Sequence, residues 1–441
     1  MTTLVVGLAT SGLAVVDALL VDGAPVRAVD VRPDLPEADV LRRRGADVRL
    51  GAHDASQLDG VDLVVTSPGV AERTPILAWA LERRIPVRSE LEFGARRTDA
   101  AMIAVTGTNG KSTTTELVAS MLRAGGRDAV ACGNIGYPLT TAAAAGHDAL
   151  AVEASSFQLR FCDAFAPRVS VLLNLAPDHL DWHGSFEAYG DAKSRIFAHQ
   201  GADDVHIGNR DDADAAARSA AAACRIVWFR SGPPGAGEVG WDGDVLVGRL
   251  DGEQRLVDLP SGGPSWREDV AAAAAACLAF GIPAGAVAEG ARTMRRLPHR
   301  GETVAEVGGV AFVDDSKATN VHAALAALRG RDRVVLIAGG VAKGVDLSPL
   351  LATIDALDGV VAIGEAADEL AEVFGGRAPV RLAASIEEAV AEGYALARPG
   401  GTVLLAPACA SWDMFRDYAE RGERFRAAAL ALGSEVRAHG R

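Results

Sequence analysis

The chain has 441 residues, of which 49% are hydrophobic and 23% are charged, and its formal net charge is −14. This length predicts two or three domains that each bury a core of their own. The negative charge argues against a nucleic-acid partner, and the apolar stretches are too short or too rich in alanine to predict a membrane span. The five cysteines are scattered without metal-ligand spacing, which indicates reduced thiols and a cytoplasmic location.

Residues 1–98 alternate short apolar runs with helical segments, which is the rhythm of a parallel α/β sheet. The predicted elements are strands at 4–6, 26–29 and 63–66 and helices at 12–20, 36–44 and 75–83. The first strand is followed by Gly7-Leu8-Ala9-Thr10-Ser11-Gly12, a dinucleotide-type turn with alanine at the middle glycine position. This turn is a weak signal for NAD and a better one for a nucleotide-diphosphate ligand. A plain strand-to-helix turn is the alternative.

Residues 99–297 open with Ala104-Val105-Thr106-Gly107-Thr108-Asn109-Gly110-Lys111-Ser112-Thr113. We predict a buried strand at 101–105 and a helix at 114–123. A strand, a glycine turn and a helix start form a phosphate cradle, in which N–H groups face the anion, the lysine adds charge and the serine reaches Mg²⁺. Val105 stands where the strict signature has glycine, and an ordinary turn with an exposed lysine is the alternative. The string predicts binding of a nucleoside triphosphate.

A carboxylate follows a second apolar run of this region. The other predicted elements here are strands at 149–153 and 169–174 and a helix at 266–280. Glu153 ends its strand, and a carboxylate beside a phosphate loop suits a Mg·ATP site, whereas a surface glutamate is the alternative. His179 lies in the polar turn after the next strand, where the spacing fits no zinc template. By itself it would be a capping or surface histidine.

Residues 298–441 predict a third α/β unit, with strands at 334–338, 360–363 and 402–406. Charged and hydroxyl residues follow three apolar runs, in the turns Asp314-Asp315-Ser316-Lys317-Ala318-Thr319-Asn320, Gly339-Gly340-Val341-Ala342-Lys343-Gly344 and Ala406-Pro407-Ala408-Cys409-Ala410-Ser411-Trp412-Asp413. Among their polar side chains are two lysines, a threonine and a serine that suit an anionic substrate. Cys409 lacks an evident base, and we interpret it as a small buried residue.

These strings together resemble the Mur ligase family, whose members use ATP to form amide bonds in peptidoglycan synthesis. Asp-Ser-Lys-Ala-Thr-Asn at 315–320 and Pro-Ala-Cys-Ala-Ser-Trp-Asp at 407–413 are the discriminating strings, and the resemblance covers nearly the whole chain. It implies an α/β fold of three domains. These are a Rossmann-like domain for a UDP substrate (1–98), a central P-loop ATPase-type domain (99–297) and a Rossmann-like domain for an amino acid (298–441).

The two discriminating strings are most similar to those of family members that use D-glutamate. The resemblance implies that the γ-phosphate of ATP passes to the carboxylate of UDP-N-acetylmuramoyl-L-alanine, which gives an acyl phosphate. The amine of D-glutamate then attacks it and phosphate leaves. The implied cofactors are ATP and two Mg²⁺ ions, and the expected assembly is a monomer.

The resemblance also implies roles for individual residues. The implied catalytic residues are Lys111, Glu153, His179 and Lys193. One Mg²⁺ would be held by Ser112 and Glu153 and another by His179 and a carbamate on Lys193, because a carbamate turns a repelling ammonium into a carboxylate-like ligand. The implied ATP-binding residues are Gly107, Thr108, Asn109, Gly110, Lys111, Ser112, Thr113, Arg300 and Asp315. D-glutamate would be bound by Lys317, Thr319, Lys343 and Ser411, with Tyr418 nearby. The UDP end would be bound by Thr10, Ser11, Asp30, Arg32, Ser67 and Gly69, and the muramoyl end would face Asn134 and Gln158.

One stretch departs from the family pattern. Family members often have a His-Asn-x-x-Asn string that contacts the nucleotide, where this chain has Glu268-Asp269-Val270-Ala271-Ala272. The adenine contacts are therefore left open. Three alternative functions remain: an amide ligase with another acceptor, such as a folylpolyglutamate synthase; a P-loop switch or transporter ATPase; and a dehydrogenase built on the N-terminal turn.

Overall fold

The computed structural model describes residues 1–250, 252, 254–258, 264–295, 297–397 and 399–439. The chain forms two compact units, one of Met1–Leu175 with Gly184–Met294 and one of Ala176–His183 with Arg295–Arg441. The first unit contains two sheets and the second contains one, and most strands are parallel. The predicted α/β fold class is confirmed. Within the described ranges, each helix is too short or too polar to cross a bilayer.

The first sheet is parallel, with the strand order β3-β2-β1-β4-β5. Its strands are β1 (Thr3–Val6), β2 (Val26–Asp30), β3 (Asp47–Leu50), β4 (Leu63–Thr66) and β5 (Val87–Ser89). Its helices are α1 (Thr10–Val21), α2 (Ala38–Arg43), α3 (Pro75–Glu82) and α4 (Glu90–Ala95), with a 3₁₀ turn at Ala55–Leu58. The elements predicted for residues 1–98 are confirmed to within two residues at their ends.

Two glycines allow the first strand-to-helix turn to be tight. Gly7 has a φ of 84°, which is left-handed, and an added Cβ on Gly12 would lie 1.9 Å from the carbonyl oxygen of Gly7. Only glycine fits at such a separation. The start of α1 therefore lies directly against the end of β1, at the carboxyl edge of the sheet.

The second sheet has the strand order β14-β13-β12-β11-β10-β9-β6-β8-β7, and β13 and β14 are antiparallel to their neighbours. Its strands are β6 (Ala101–Thr106), β7 (Ala129–Gly133), β8 (Ala149–Glu153), β9 (Val169–Leu172), β10 (Val205–Asn209), β11 (Arg225–Phe229), β12 (Glu238–Asp242), β13 (Val245–Gly248) and β14 (Gln254–Asp258). The helices of this stretch of chain are α5 (Lys111–Ala124), α6 (Leu139–Ala144), α7 (Ser156–Arg160), α8 (Leu180–His183), α9 (Phe186–Ser194), α10 (Ala213–Ser219), α11 (Pro264–Phe280) and α12 (Ala284–Thr293). The predicted strands and both predicted helices are confirmed.

Helix α11 is the centre of the core of this sheet. Its residues from Val270 to Cys277 are all completely buried, and it contacts α5, α12 and four strands. Alanine side chains are short, so the helix packs closely on every side. This packing fixes α5, whose first residue is Lys111.

A neutral histidine lies in a buried polar network of the same sheet. His206 has Nδ1 2.7 Å from Ser170 Oγ and Nε2 2.9 Å from Ser219 Oγ. Ser170 donates to Gln200 Oε1, so it accepts from Nδ1–H and leaves Nε2 to accept from Ser219. Burial lowers the pKa of His206 to about 3, and the ring stays neutral at physiological pH.

We expect Ser219→Ala to lower the free energy of unfolding by about 1–3 kcal/mol, because it leaves the buried Nε2 of His206 without its hydroxyl donor. Urea denaturation at pH 7 measures the change. The exposed Ser434→Ala is the matched control, with an expected change below about 0.5 kcal/mol. Equal stability of the two variants would contradict the assigned donor and acceptor roles.

The third sheet has the order β15-β16-β20-β17-β18-β19, with only β15 antiparallel among the described strands. Its strands are β15 (Glu302–Val307), β16 (Val310–Asp314), β17 (Val334–Gly339), β18 (Leu357–Ile363), β19 (Val380–Ala383) and β20 (Thr402–Leu405). Its helices are α13 (Val321–Leu328), α14 (Ala367–Phe374), α15 (Ile386–Leu396) and α16 (Tyr418–His439), with a 3₁₀ helix at Ser348–Ala356. The three predicted strands are confirmed.

All five cysteines are free and buried. Burial raises the pKa of the Cys132 thiol and of the Cys409 thiol to about 12. A thiol with so high a pKa carries almost no thiolate at pH 7, and thiolate is the nucleophilic form. The interpretation of Cys409 as a buried small residue is confirmed.

Candidate functional site

The phosphate loop (107–113) joins the end of β6 to the start of α5. Gly110 has a φ of 83°, the left-handed conformation that glycine adopts at little cost. Lys111 Nζ donates to the carbonyl oxygens of Gly107 at 2.9 Å and Thr108 at 2.8 Å, so its charge lies over the loop. A positive charge and the start of a helix at the same point favour binding of an anion.

The stretch that departs from the family string contacts this loop. An added Cβ on Gly110 would lie 2.2 Å from Asp269 Oδ1, and Thr114 Oγ1 donates to the same oxygen at 3.2 Å. Asp269 on α11 is thus a buried carboxylate beside the first turn of α5. A carboxylate near a helix N-terminus interacts favourably with the helix dipole.

Glu153 lies at the end of β8, which pairs with the strand that leads into the phosphate loop. Its side chain is 2% exposed, and Oε1 accepts from Asn134 Nδ2 at 2.8 Å. Its other oxygen, Oε2, is buried and has no hydrogen-bond partner among the described residues. A buried acceptor without a partner is costly, and hard cations such as Mg²⁺ bind carboxylate oxygens. The free oxygen of Glu153 is therefore a ligand of the type that Mg²⁺ prefers.

Gln158 belongs to the capping box of α7. Its Oε1 accepts from the backbone N–H of Ser155, while its buried Nε2 has no partner within the described ranges. Asn134 follows β7, which pairs with β8, and its side-chain amide donates a hydrogen bond to Glu153. The role of Asn134 and Gln158 toward the muramoyl end stays a prediction.

Lys193 on α9 is placed against the phosphate loop. Its side chain is 1% exposed, and Nζ donates to the Gly107 carbonyl oxygen at 2.7 Å and lies 4.6 Å from the ring centroid of Tyr189. The hydroxyl of Tyr189 is 3.1 Å from Thr108 Oγ1. Helix α9 thus contacts the loop through two side chains that are one helical turn apart.

One sequence signal could have singled out Lys193. The chain contains only four lysines, Lys111, Lys193, Lys317 and Lys343, and its other basic side chains are arginines and histidines. An amine can lose its proton and be modified, whereas a guanidinium stays charged. The use of lysine at only four positions favours a chemical role at each, and all four are predicted site residues.

In the second unit, His179 adjoins a buried ion pair. Asp178 Oδ1 is 2.6 Å from Lys343 Nζ, and both side chains are less than a tenth exposed. Asn320 Nδ2 donates to Asp178 Oδ2 at 3.3 Å. His179 has a φ of 53°, and its Nε2 lies 3.7 Å from Asp178 Oδ2. The sequence did not indicate a role for Asp178, because its partner Lys343 is 165 residues away along the chain.

A second cluster contains residues that are predicted to bind the amino-acid substrate. Lys317 Nζ lies 3.7 Å from the ring centroid of Tyr418, so the structure brings these two together. The guanidinium of Arg421, which is completely buried, donates to the carbonyl oxygen of Ser316 at 2.8 Å and to that of Cys409 at 3.3 Å. Arg421 therefore joins the turn of Lys317 to the turn of Ser411, and no local pattern in the chain indicated this role.

The carboxyl group of Asp315 has a raised pKa. Burial raises the pKa of its carboxyl to about 7, although the positive charges of Arg300 and Arg331 oppose this change. Its ordinary pKa is 3.8. Between these two values the folded state binds more protons than the unfolded state, so Asp315 makes the free energy of unfolding fall as the pH rises from about 4 to 7.

We expect Asp315→Asn to remove that contribution, because the amide does not ionise. The melting temperature of the variant relative to the parent should therefore rise between pH 5 and pH 8, measured by calorimetry. Asp346→Asn is the control. The pKa of Asp346 lies below its ordinary value, so this carboxyl group does not titrate between pH 5 and pH 8. Parallel pH profiles of Asp315→Asn and the parent protein would contradict the raised pKa.

A pocket of about 400 Å³ lies at the carboxyl edge of the first sheet, beside the N-terminus of α1. All six residues predicted for the UDP end line it: Thr10, Ser11, Asp30, Arg32, Ser67 and Gly69. The structure therefore brings together side chains from three strand ends. Helix N-termini bind phosphates, which suits a nucleotide diphosphate.

Asp30 and Arg32 form the charged wall of this pocket. Asp30 Oδ1 accepts from Arg32 Nε at 2.9 Å, and Oδ2 accepts from Arg32 Nη2 and from the backbone N–H of Leu8, both at 2.7 Å. These bonds hold the pKa of Asp30 well below its usual range, so it is ionised. Asp30 orients the guanidinium of Arg32, which is half exposed and can contact a ligand.

Comparison with family models matches three stretches of the chain. Residues 1–89 match the model described as "Mur ligase MurD-like, N-terminal domain", residues 105–239 match "Mur ligase middle domain", and residues 299–409 match "Mur ligase, glutamate ligase domain". The three matches follow the three sheets in order.

Similar proteins extend over the whole chain. A protein of Frankia casuarinae named UDP-N-acetylmuramoylalanine–D-glutamate ligase is 46% identical, over 97% of this chain and 93% of its own length. One of the same name from Syntrophotalea carbinolica is 40% identical, over 97% of both chains. The solved UDP-N-acetylmuramate-alanine ligase of Thermotoga maritima shares the fold, with a TM-score of 0.61 at 17% identity over 98% of this chain and 99% of that one. With relatives this similar over nearly its full length, the chain belongs to the Mur ligase family.

Proposed function

We propose that this chain is an ATP-dependent ligase that joins D-glutamate to UDP-N-acetylmuramoyl-L-alanine in the synthesis of peptidoglycan precursors. The names of the relatives support the choice of substrates. The observation that carries the ATP-dependent chemistry is the buried Glu153 Oε2, an unpaired carboxylate oxygen on the strand beside the phosphate loop.

The phosphate loop would bind the phosphates of ATP. Its N–H groups and Lys111 would compensate the negative charge while the γ-phosphoryl group passes to the carboxylate oxygen of the UDP substrate. Mg²⁺, when bound by Ser112 and Glu153, supplies further positive charge at the transferred group. The products of this step are ADP and an acyl phosphate. The free amine of D-glutamate then attacks the acyl carbon, the amide bond forms and phosphate leaves.

Lys193 would act as a carbamate. Its amine reacts with CO₂ to give N–COO⁻ and a proton, which replaces a cation with an anionic oxygen ligand. The carbamate nitrogen keeps one N–H, so the hydrogen bond to the Gly107 carbonyl can persist. The role of His179 and carbamylated Lys193 at a second Mg²⁺ is part of this proposal.

The second unit would bind the amino acid. D-glutamate carries two carboxylates, and Lys317 and Lys343 supply two cations, with the hydroxyls of Thr319 and Ser411 as further donors. Lys343 is paired with Asp178 in this structure, which keeps its charge at a defined place. Arg300 and Asp315 would contact the nucleotide. We also propose the domain boundaries 1–98, 99–297 and 298–441, a cytoplasmic location and a monomeric state.

Acceptor-dependent phosphate release tests this function. The full chain is incubated with ATP, Mg²⁺ and UDP-N-acetylmuramoyl-L-alanine, and D-glutamate, L-glutamate, L-lysine or meso-diaminopimelate is added in turn. We expect turnover with D-glutamate alone and a product heavier by one glutamate residue in mass spectrometry. Phosphate release at the same rate with or without an added amino acid would support a P-loop ATPase instead. Turnover with L-glutamate would support a different amide ligase.

A further inference from the structure

The main chain after β9 continues alongside the phosphate loop. Strands β6 and β9 pair in parallel, and beyond the end of β9 the N–H of Leu173 donates to the Thr106 carbonyl at 2.9 Å. The N–H of Thr108 then donates to the Asn174 carbonyl at 3.0 Å. An added Cβ on Gly107 would lie only 2.8 Å from Leu173 Cβ. The loop therefore rests directly on residues 173 and 174.

The side chain of Asn174 extends this ladder by one more step. Its Oδ1 accepts from the backbone N–H of Asn109 at 2.8 Å, and its Nδ2 donates to the carbonyl oxygen of Asn109 at 3.3 Å. A carboxamide has one acceptor and one donor group, like a peptide group, so it can form this two-bond pair. Asn174 is 7% exposed and replaces a strand partner where the loop turns away from the sheet.

The direction of the loop N–H groups matters for binding an anion. Donors that already point at the ligand need no reorganisation when it binds, and this preorganisation supports both affinity and catalysis. Asn109 lies in the middle of the loop, between the two glycines. A side chain that fixes both polar groups of this residue therefore restricts the whole turn.

We propose that Asn174 is a positioning residue for nucleotide binding, which holds the backbone of Asn109 so that the phosphate loop keeps its binding geometry. It acts through the loop and does not itself contact the nucleotide. The inference rests on the proposed function for the identity of the ligand, a nucleoside polyphosphate.

The two hydrogen bonds between Asn174 and Asn109 predict which of two substitutions weakens nucleotide binding more. Asn174→Ala removes both hydrogen bonds, and we expect the Kd for MgADP to rise about tenfold. Asn174→Asp has nearly the same shape but cannot donate, and its negative charge would lie against the Asn109 carbonyl oxygen, within the loop that binds the anion. We therefore expect a larger rise for Asn174→Asp than for Asn174→Ala.

Ser170→Ala is the matched control. Ser170 lies on β9, four residues before Asn174, and its buried hydroxyl contacts Gln200 and His206 rather than the loop. This variant should have a lower melting temperature and a Kd for MgADP within about twofold of the parent protein. It separates a general loss of stability from a specific effect on the loop.

The test measures MgADP binding to the full chain by titration calorimetry below the melting temperature of every variant, together with the KM values for ATP and D-glutamate. Both Asn174 variants should raise the Kd and the KM for ATP and leave the KM for D-glutamate unchanged. A Kd within twofold of the parent for both, or an equal effect of Ser170→Ala, would overturn the inference. Failure of the parent protein to bind MgADP would instead overturn the proposed function, and the inference with it.

Discussion

Replacing Lys193 with alanine is expected to lower ligase turnover by at least about 100-fold, the usual effect of removing a group that stabilises transition-state charge. Lys193 Nζ lies 2.7 Å from the Gly107 carbonyl oxygen and is almost completely buried, so no other side chain can easily replace it. Turnover is measured as D-glutamate-dependent phosphate release. Added short carboxylates, such as formate or acetate, should restore part of the activity by entering the space of the lost carbamate.

Two results would contradict the carbamate role. Full activity of Lys193→Ala without any additive would remove Lys193 from the reaction, and low activity that no carboxylate restores would indicate a structural role only. Arg195→Ala is the control on the same segment, because Arg195 donates to the Cys162 carbonyl and not to the loop. Its activity should not respond to added carboxylates.

Replacing Glu153 with glutamine is expected to lower kcat/KM by about 100-fold or more and to raise the Mg²⁺ concentration needed for half-maximal rate. The amide keeps the size of the side chain and can still accept from Asn134, but an N–H group takes the place of one oxygen. An N–H group does not bind a cation. Rates measured over a Mg²⁺ titration at saturating ATP test this expectation.

Glu90→Gln is a matched control for Glu153→Gln. Glu90 is also a buried glutamate with one bonded oxygen, which accepts from the Thr140 N–H at 2.7 Å, and one oxygen without a partner among the described residues. Burial raises the pKa of Glu90, and its bonded oxygen pairs with the first turns of α6 rather than with a residue of the phosphate loop. We expect Glu90→Gln to keep activity within about threefold of the parent protein. An equal loss in both variants would falsify the assignment of Glu153 to the metal.

The sequence predicted those parts of the molecule that depend on local pattern. Alternating apolar runs and helical segments located three strands in each of the three sheets, because a buried strand needs a continuous apolar run. The phosphate loop was predicted for a similar reason, since its glycines and its lysine are neighbours in the chain. The Gly7–Gly12 turn and Asp30 followed from the dinucleotide-type layout at the carboxyl ends of parallel strands, whereas Ser67 was implied by the resemblance to the family.

The rest of the candidate site depends on contacts between distant parts of the chain. Asn174 pairs with Asn109 across 65 residues, and Lys193 reaches Gly107 across 86. No local pattern specifies which helix packs against the phosphate loop, since that follows from the packing of the whole sheet. A single sequence therefore identified the loop but not the side chains that hold it.

Because lysine is scarce in this chain, chemical labelling of amines can report on ligand binding at individual positions. Among side chains, a reagent specific for amines has only the four lysines as targets here, and each of them is a predicted site residue. Protection of each amine by a bound ligand could then be measured one position at a time. A protease that cleaves after unmodified lysine would divide the chain into five peptides, and each modified lysine would block one of the four cleavages. Ordinary peptide mapping would thus report ligand occupancy directly, without an engineered label.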